Sequence, residues 1–183
     1  AVDELIEIAR RSRGRAEIYH LKQAGRTNWD KLDAVIERVE AARAAGLGIT
    51  ADMYTYDAAA TGLDASLPPW VQEGGHQRLV ARLREPAVRA RLAVEMRAPG
   101  VGWENMLVLA GTPAGLLFSS FKNDALKRYT GRTLADVAAE RGTPPEETIM
   151  DLVVEDDSRV GVIYFLMSPD NVRRQVALPW LSF

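Results

Sequence analysis

The chain has no cysteine and only two histidines, His20 and His76. The first absence removes disulfides, thiol nucleophiles and cysteine-ligated zinc, and it fits a reducing compartment. The second means that these residues alone cannot supply a complete histidine-rich metal site. No apolar run approaches the ~18 residues needed to span a bilayer. Nor does the opening Ala1-Val2-Asp3-Glu4-Leu5 have the basic region and apolar stretch of a secretory signal, so the expected location is the cytoplasm. Charge is nearly balanced, 23 Lys and Arg against 25 Asp and Glu. That gives no electrostatic reason to expect a nucleic acid or a membrane as partner. What remains is 183 residues, 47% apolar and 26% charged. This is a globular composition, long enough for one sizeable core and a small second domain.

Hydrophobic spacing sets the organisation. Val2, Leu5, Ile6 and Ala9 recur at helical intervals, with Gly14 as a stop. Residues 16–21 read as a strand and 23–29 as a loop. A helix over 30–45 carries an apolar stripe of Leu32, Val35, Ile36, Val39 and Ala42, with Gly46 where a left-handed C-terminal residue belongs. Residues 47–56 read as a second strand. Helix, strand, helix, strand with short connections predicts a parallel, adjacent strand pair. The pattern then changes. Residues 57–75 read as a long loop, followed by helices over 77–84 and 86–97 and a strand over 103–110. Helices are expected to start at Thr133 and Thr143, the latter with Thr143 as N-cap and Glu146 three residues on. Residues 160–167 form a strand, and 171–177 a short helix. The apolar run from Leu178 to Phe183 suggests a segment of a longer chain.

Several residues could do chemistry. His20 ends a predicted parallel strand, where α/β folds place their sites. Neutral imidazole is a common metal ligand, and Lys22, two residues on, points the same way on an extended chain. Spacing alone favours a half-buried histidine beside a surface lysine. Asp52, Tyr54 and Tyr56 alternate on the next strand and share a face, where a phenol could hold a carboxylate or oxyanion; an ordinary tyrosine-rich strand end has the same pattern. Tyr164 to Met167 could line an apolar pocket or simply pack in the core. Arginines 78, 82, 84, 89, 91 and 97 are interrupted by acids, which favours a solvated face. Gly46-Leu47-Gly48 has no helix after it and does not make a phosphate loop.

Taken in order, Tyr19-His20-Leu21-Lys22-Gln23-Ala24-Gly25, Asn28-Trp29 and Asp52-Met53-Tyr54-Thr55-Tyr56 resemble the D-aminoacylases. These are N-acyl-D-amino-acid deacylases of the amidohydrolase superfamily. Asp64-Ala65-Ser66-Leu67-Pro68-Pro69-Trp70 and Val162-Ile163-Tyr164-Phe165-Leu166-Met167 extend the likeness over essentially the whole chain. The resemblance implies part of a metal-dependent (β/α)8 barrel with a small inserted α+β domain. Residues 1–61 would be barrel units, 62–159 the insertion and 160–183 the return to the barrel. It further implies zinc as cofactor, with His20 as a zinc ligand. Lys22 would grip the substrate carboxylate and Tyr54 would assist it. Tyr164 and Met167 would wall the side-chain pocket. The partner would be a small-molecule N-acyl-amino acid, cleaved at its amide by metal-activated water.

Departures accompany the likeness. The family's early His-x-His pair, its cysteine metal ligand, the preceding strand's histidine and its last-strand aspartate are missing, the aspartate being expected just beyond Phe183. Thr55 stands where the family has proline, and Ala60 where a serine helps hold the carboxylate. The isolated chain is therefore expected to be inactive. A non-catalytic binding or scaffold module of the same fold, or a hydrolase of cyclic amides such as a hydantoinase or dihydroorotase, is the alternative. The oligomeric state is not encoded in any recognisable pattern.

Overall fold

A computed structural model describes all 183 residues. In chain order the elements are α1 (Val2–Ser12), β1 (Ala16–Ile18), α2 (Leu32–Ala44), β2 (Ile49–Asp52), β3 (Ala58–Gly62), α3 (Pro69–Gln72), α4 (His76–Leu83) and α5 (Pro86–Glu95). There follow α6 (Met106–Leu109), β4 (Leu116–Ser120), α7 (Leu134–Arg141), α8 (Pro145–Asp156), β5 (Gly161–Phe165), α9 (Pro169–Val176) and β6 (Leu181–Ser182). Short 3-10 turns lie between them, at Arg26–Lys31, Leu63–Ser66, Pro113–Gly115 and Asp124–Tyr129. No helix is long and apolar enough to cross a membrane.

The chain divides into two compact units. One is Ala1–Asp57 with Met167–Phe183, and the other is Ala58–Leu166. The sequence reading set the changeovers at 61/62 and 159/160. The structure moves both outward because β3 and β5 pair with each other, antiparallel, from Ala58↔Phe165 to Gly62↔Gly161. A strand pair cannot be divided between two units without giving up its ladder of hydrogen bonds.

The first unit is α/β. Its sheet has the order β1-β2-β6 and both pairings are parallel, with Ala16↔Ile49 and Ala51↔Leu181 in register. The expected parallel pair is thus present, with β6 added on the far side of β2. Three parallel strands do not close a barrel. Ile6, Ala9, Val39, Ala42, Ile49, Ala51 and Trp180 bury together, so α1 and α2 lie on the sheet through their apolar stripes. Each of the valine and isoleucine side chains contributes about 1.5–3 kcal/mol relative to exposure. Gly46 follows the C-terminus of α2 at φ 87, a left-handed conformation that glycine adopts without steric cost. At α1 that role falls to Arg13, φ 55, and not to Gly14.

The second unit is α+β. Its sheet is β3-β5-β4, antiparallel throughout, with half-buried and buried positions alternating along β5 until exposed Phe165. Phe118, Val162 and Tyr164 point into its core. The helices bury Leu79, Val80, Leu83, Leu92, Leu107, Leu134 and Val137, and Leu109 is half-buried. Three readings need correction here. The stretch 57–75 is not a loop, since it holds β3, a 3-10 turn and α3. The stretch 103–110 is not a strand but holds α6 at Met106–Leu109, which Asn105 caps by accepting from the Val108 N–H. Thr143 does not cap α8, whose N-cap is Pro144; the Thr143 hydroxyl pairs instead with that of Thr148 at 2.7 Å.

Acids hold the loops of this unit. Asp156, 2% exposed, accepts from the Lys122 and Asn123 N–H groups at 3.2 and 2.8 Å. Buried Asp64 accepts from Arg159 at 2.8 and 3.1 Å. Gly62 makes room for that pair, as a Cβ there would fall 2.3 Å from the Asp64 carboxylate. The arginines between 82 and 97 are largely engaged within the unit. Arg82 donates to the Val71 and Glu73 carbonyls, Arg89 to Glu147 and Asp151, and Arg97 to buried Glu146.

Candidate functional site

Both strands that should carry the site are shorter than the sequence suggests. β1 ends at Ile18 and β2 at Asp52, so His20, Lys22, Tyr54 and Tyr56 all follow the ladder. The strand-alternation argument therefore does not place them. His20 instead takes φ 54, a left-handed turn conformation uncommon outside glycine. Asp52 holds that turn. Its carboxylate accepts from the His20 N–H at 2.5 Å, and its carbonyl accepts from the Leu21 N–H at 2.8 Å. A charged acceptor on a backbone N–H is a strong hydrogen bond, enough to offset the conformational cost.

The turn aims the side chains at one another. The His20 ring meets Tyr54 edge-on, with centroids 5.2 Å apart and planes at 80°. Lys22 Nζ lies 5.1 Å from the Tyr54 centroid, within cation–π range. On the other side, exposed Tyr19 stacks on His20 at 3.7 Å and 23°. Lys22 makes no ion pair, so its ammonium remains available to an anion. Together with Leu21, Met53, Tyr56, Met167, Val172 and Gln175, these residues line a recess of about 10 Å³. That volume is room for about one water, so a larger molecule would lie over it.

Of the five residues singled out from sequence, His20, Lys22, Tyr54 and Met167 thus line one recess of the α/β unit. Tyr164 lies in the α+β unit, fully buried. Its hydroxyl donates to the Gly62 carbonyl at 3.0 Å and pairs with the Ser66 hydroxyl at 3.2 Å. Burial pushes its ionisation well above the ordinary tyrosine value, partly opposed by the Ser66 hydrogen bond. The phenol is a core group of its own unit.

Sequence reasoning missed what supports the recess from behind. Gln175 Nε2 donates to the Leu21 carbonyl at 3.0 Å, and Asn171 Nδ2 to the Trp29 carbonyl at 2.8 Å. Both amides are buried on α9. Their signal was the i, i+4 spacing of two amides on one helix face. Together they pin the segment that follows β1.

A metal needs several ligands. No group of three or more His, Cys, Asp or Glu side chains is placed to hold one. His20 is the one imidazole at the recess, and the nearby Asp52 carboxylate is engaged by the His20 backbone. These residues by themselves do not fit a zinc site.

No family model matches the chain, and no curated protein matches it in sequence. Solved structures do match. One is an N-acyl-D-glutamate deacylase from Bordetella bronchiseptica, complexed with zinc and a phosphonate that mimics the tetrahedral intermediate of its reaction. It is 21% identical with a TM-score of 0.62, over 99% of this chain and 28% of that one. A D-aminoacylase studied for its binuclear metal centre is 22% identical, TM-score 0.61, over 98% of this chain and 27% of that one. Another D-aminoacylase, described as defining a subset of amidohydrolases, is 23% identical, TM-score 0.60, with the same coverage. The chain therefore has the fold of a segment of these amide-cleaving hydrolases, and it spans about a quarter of their length.

Proposed function

We propose that these residues are part of a cytoplasmic, zinc-dependent hydrolase that cleaves the amide bond of N-acyl-D-amino acids. The three parallel strands would belong to a (β/α)8 barrel, a fold of about 250 residues with its site at the C-terminal ends of the strands. The observation that carries the reading is the meeting of His20, Lys22 and Tyr54 just past β1 and β2. The fold likeness to deacylases over nearly the whole chain supports it.

In this reading His20 contributes one imidazole to the metal, and the rest of the ligand set lies elsewhere in the complete protein. Zinc, when bound, would polarise the amide carbonyl and activate water. Lys22 draws the substrate carboxylate to the recess, and the charge of its ammonium is kept over the Tyr54 ring. The Tyr54 hydroxyl donates to the same carboxylate. Met167 offers a soft apolar surface to the substrate side chain.

The test is metal analysis and steady-state kinetics on the complete protein. His20→Ala is expected to lose zinc and turnover together. Lys22→Ala is expected to keep its zinc and to raise KM for acyl-amino acids by about tenfold, the loss of one charge-assisted hydrogen bond. Normal zinc content and normal turnover in His20→Ala would overturn the proposal. The 183-residue chain alone is expected to show no hydrolysis.

A further inference from the structure

A second feature of the α/β unit lies at the opposite ends of its strands. There, a cleft of about 720 Å³ opens among Arg10, Arg13, Arg15, Arg43 and the glycines Gly46 and Gly48. No carboxylate lines it. Arg13 and Arg15 form no ion pair, in a chain with more acids than bases. Arg10 shares Glu7 with Arg11, and Arg43 donates to the Ile49 carbonyl. Four guanidiniums thus line the cleft, and of these only Arg10 is paired with a carboxylate.

Their placement has a partial structural reason. α1 and α2 both end here, and cations favour helix C-termini. That accounts for Arg10 and Arg43, which lie in the last turns. It does not account for Arg15, beyond the helix, or for keeping the floor free of side chains. A Cβ at Gly46 would meet nothing within 4 Å, so the space there is real. At Gly48 a Cβ would press on the Arg15 stem at 3.2 Å, so glycine leaves that arginine its position. The region is not a glycine-rich phosphate loop, because a strand follows Gly48. The positive charge comes from side chains alone.

We infer that this cleft is a binding site for a phosphate-bearing anion, held by Arg13 and Arg15 with Arg10 and Arg43 at its edges. Guanidinium forks match phosphate oxygens two at a time. The volume takes a diphosphate with a group attached. The site is independent of the recess around His20, which lies past the other ends of the strands, and so of the function proposed there. Its occupant would be a regulatory or structural ligand.

The experiment is calorimetric titration of the complete protein with inorganic pyrophosphate and, separately, with ADP, at constant ionic strength set with NaCl. One saturable site is expected, weakening as NaCl rises. Arg13→Ala/Arg15→Ala is expected to weaken it on the order of 100-fold, about tenfold for each guanidinium lost. Arg13→Lys/Arg15→Lys keeps the charge and the fold and is expected to weaken it by about tenfold, because the forks are gone. Tighter ADP than pyrophosphate binding would assign the phosphate to a nucleotide. Absence of saturable binding to either anion, or binding unchanged in both double variants, would overturn the inference. So would binding that is abolished by Lys22→Ala.

Discussion

The two units solve the problem of buried polarity in opposite ways. In the α+β unit nearly every inward polar group has its partner within the unit, as with Asp64 and Arg159, Asp156 and the Asn123 N–H, or Tyr164 and Gly62. The α/β unit is less finished. Its strands are three, four and two residues long, and Gln23 Oε1 and Trp180 Nε1 are buried without partners, against Arg141 Nε alone in the larger α+β unit. Its chemically capable residues stand on turns after the strands. Satisfied polar groups make a rigid body, whereas half-satisfied ones mark where further contacts are to be made. The difference suggests that one unit is built for packing and the other for binding.

The largest expected effect sharpens that contrast. Phe118→Ala empties a fully buried position of the antiparallel sheet and should cost about 3–5 kcal/mol in urea unfolding. A loss below about 2 kcal/mol would mean that this sheet is looser than the packing indicates. In the α/β unit, Asp52→Ala removes the acceptor that holds His20 at φ 54 and should cost about 1–2 kcal/mol. Asp52→Asn keeps one oxygen and should recover most of it. If Ala and Asn behave alike, the turn is held by something other than this hydrogen bond.

Tyr164→Phe should cost about 1 kcal/mol, because only the hydroxyl bonds to Gly62 and Ser66 are lost. Its pH dependence has a definite sign. The folded-state ionisation is raised, so the hydroxyl's contribution is full below the ordinary value of 10.0 and declines as pH rises past it towards the folded value. The gap between wild type and Tyr164→Phe should accordingly narrow only in alkali. A gap that narrows near neutral pH would contradict the burial.

The smallest effects concern exposed ion pairs. Arg141 hydrogen-bonds Glu155 and holds its carboxyl below the ordinary value of 4.5. A lowered carboxyl contributes stability above that value, and the contribution is lost as pH falls through the folded-state value. Glu155→Gln should therefore differ from wild type at neutral pH and converge with it in acid. Lys22→Ala should leave stability within about 0.5 kcal/mol of wild type, since the side chain is exposed. A larger loss would make Lys22 a structural residue of the turn and weaken its assignment to substrate.

Much of the fold was legible along the chain. Stripes such as Leu32, Val39 and Ala42 have one helical solution, and a helix of that length between two strands forces a parallel crossover. The capping box of α7, where Thr133 and Asp136 bond each other's backbone, was readable from its residues. Legibility failed where periodicity is weak or competes. The Ala-rich β3 carries little hydrophobic pattern, and only its ladder with β5 makes it a strand. Apolar Met106 to Leu109 suits strand or helix equally until the Asn105 cap decides.

The site divides along the same line. The sequence by itself determined that a histidine, a lysine and a tyrosine stand near the ends of neighbouring parallel strands, because strand order and crossover are set by local pattern. Only the tertiary structure decided that they meet. Their convergence comes from a left-handed turn at His20 locked by Asp52, 32 residues away, and braced by two amides of α9 more than 140 residues on. Hydrogen bonds between segments so distant leave no periodic trace in the chain, and they form only once packing has brought the segments together.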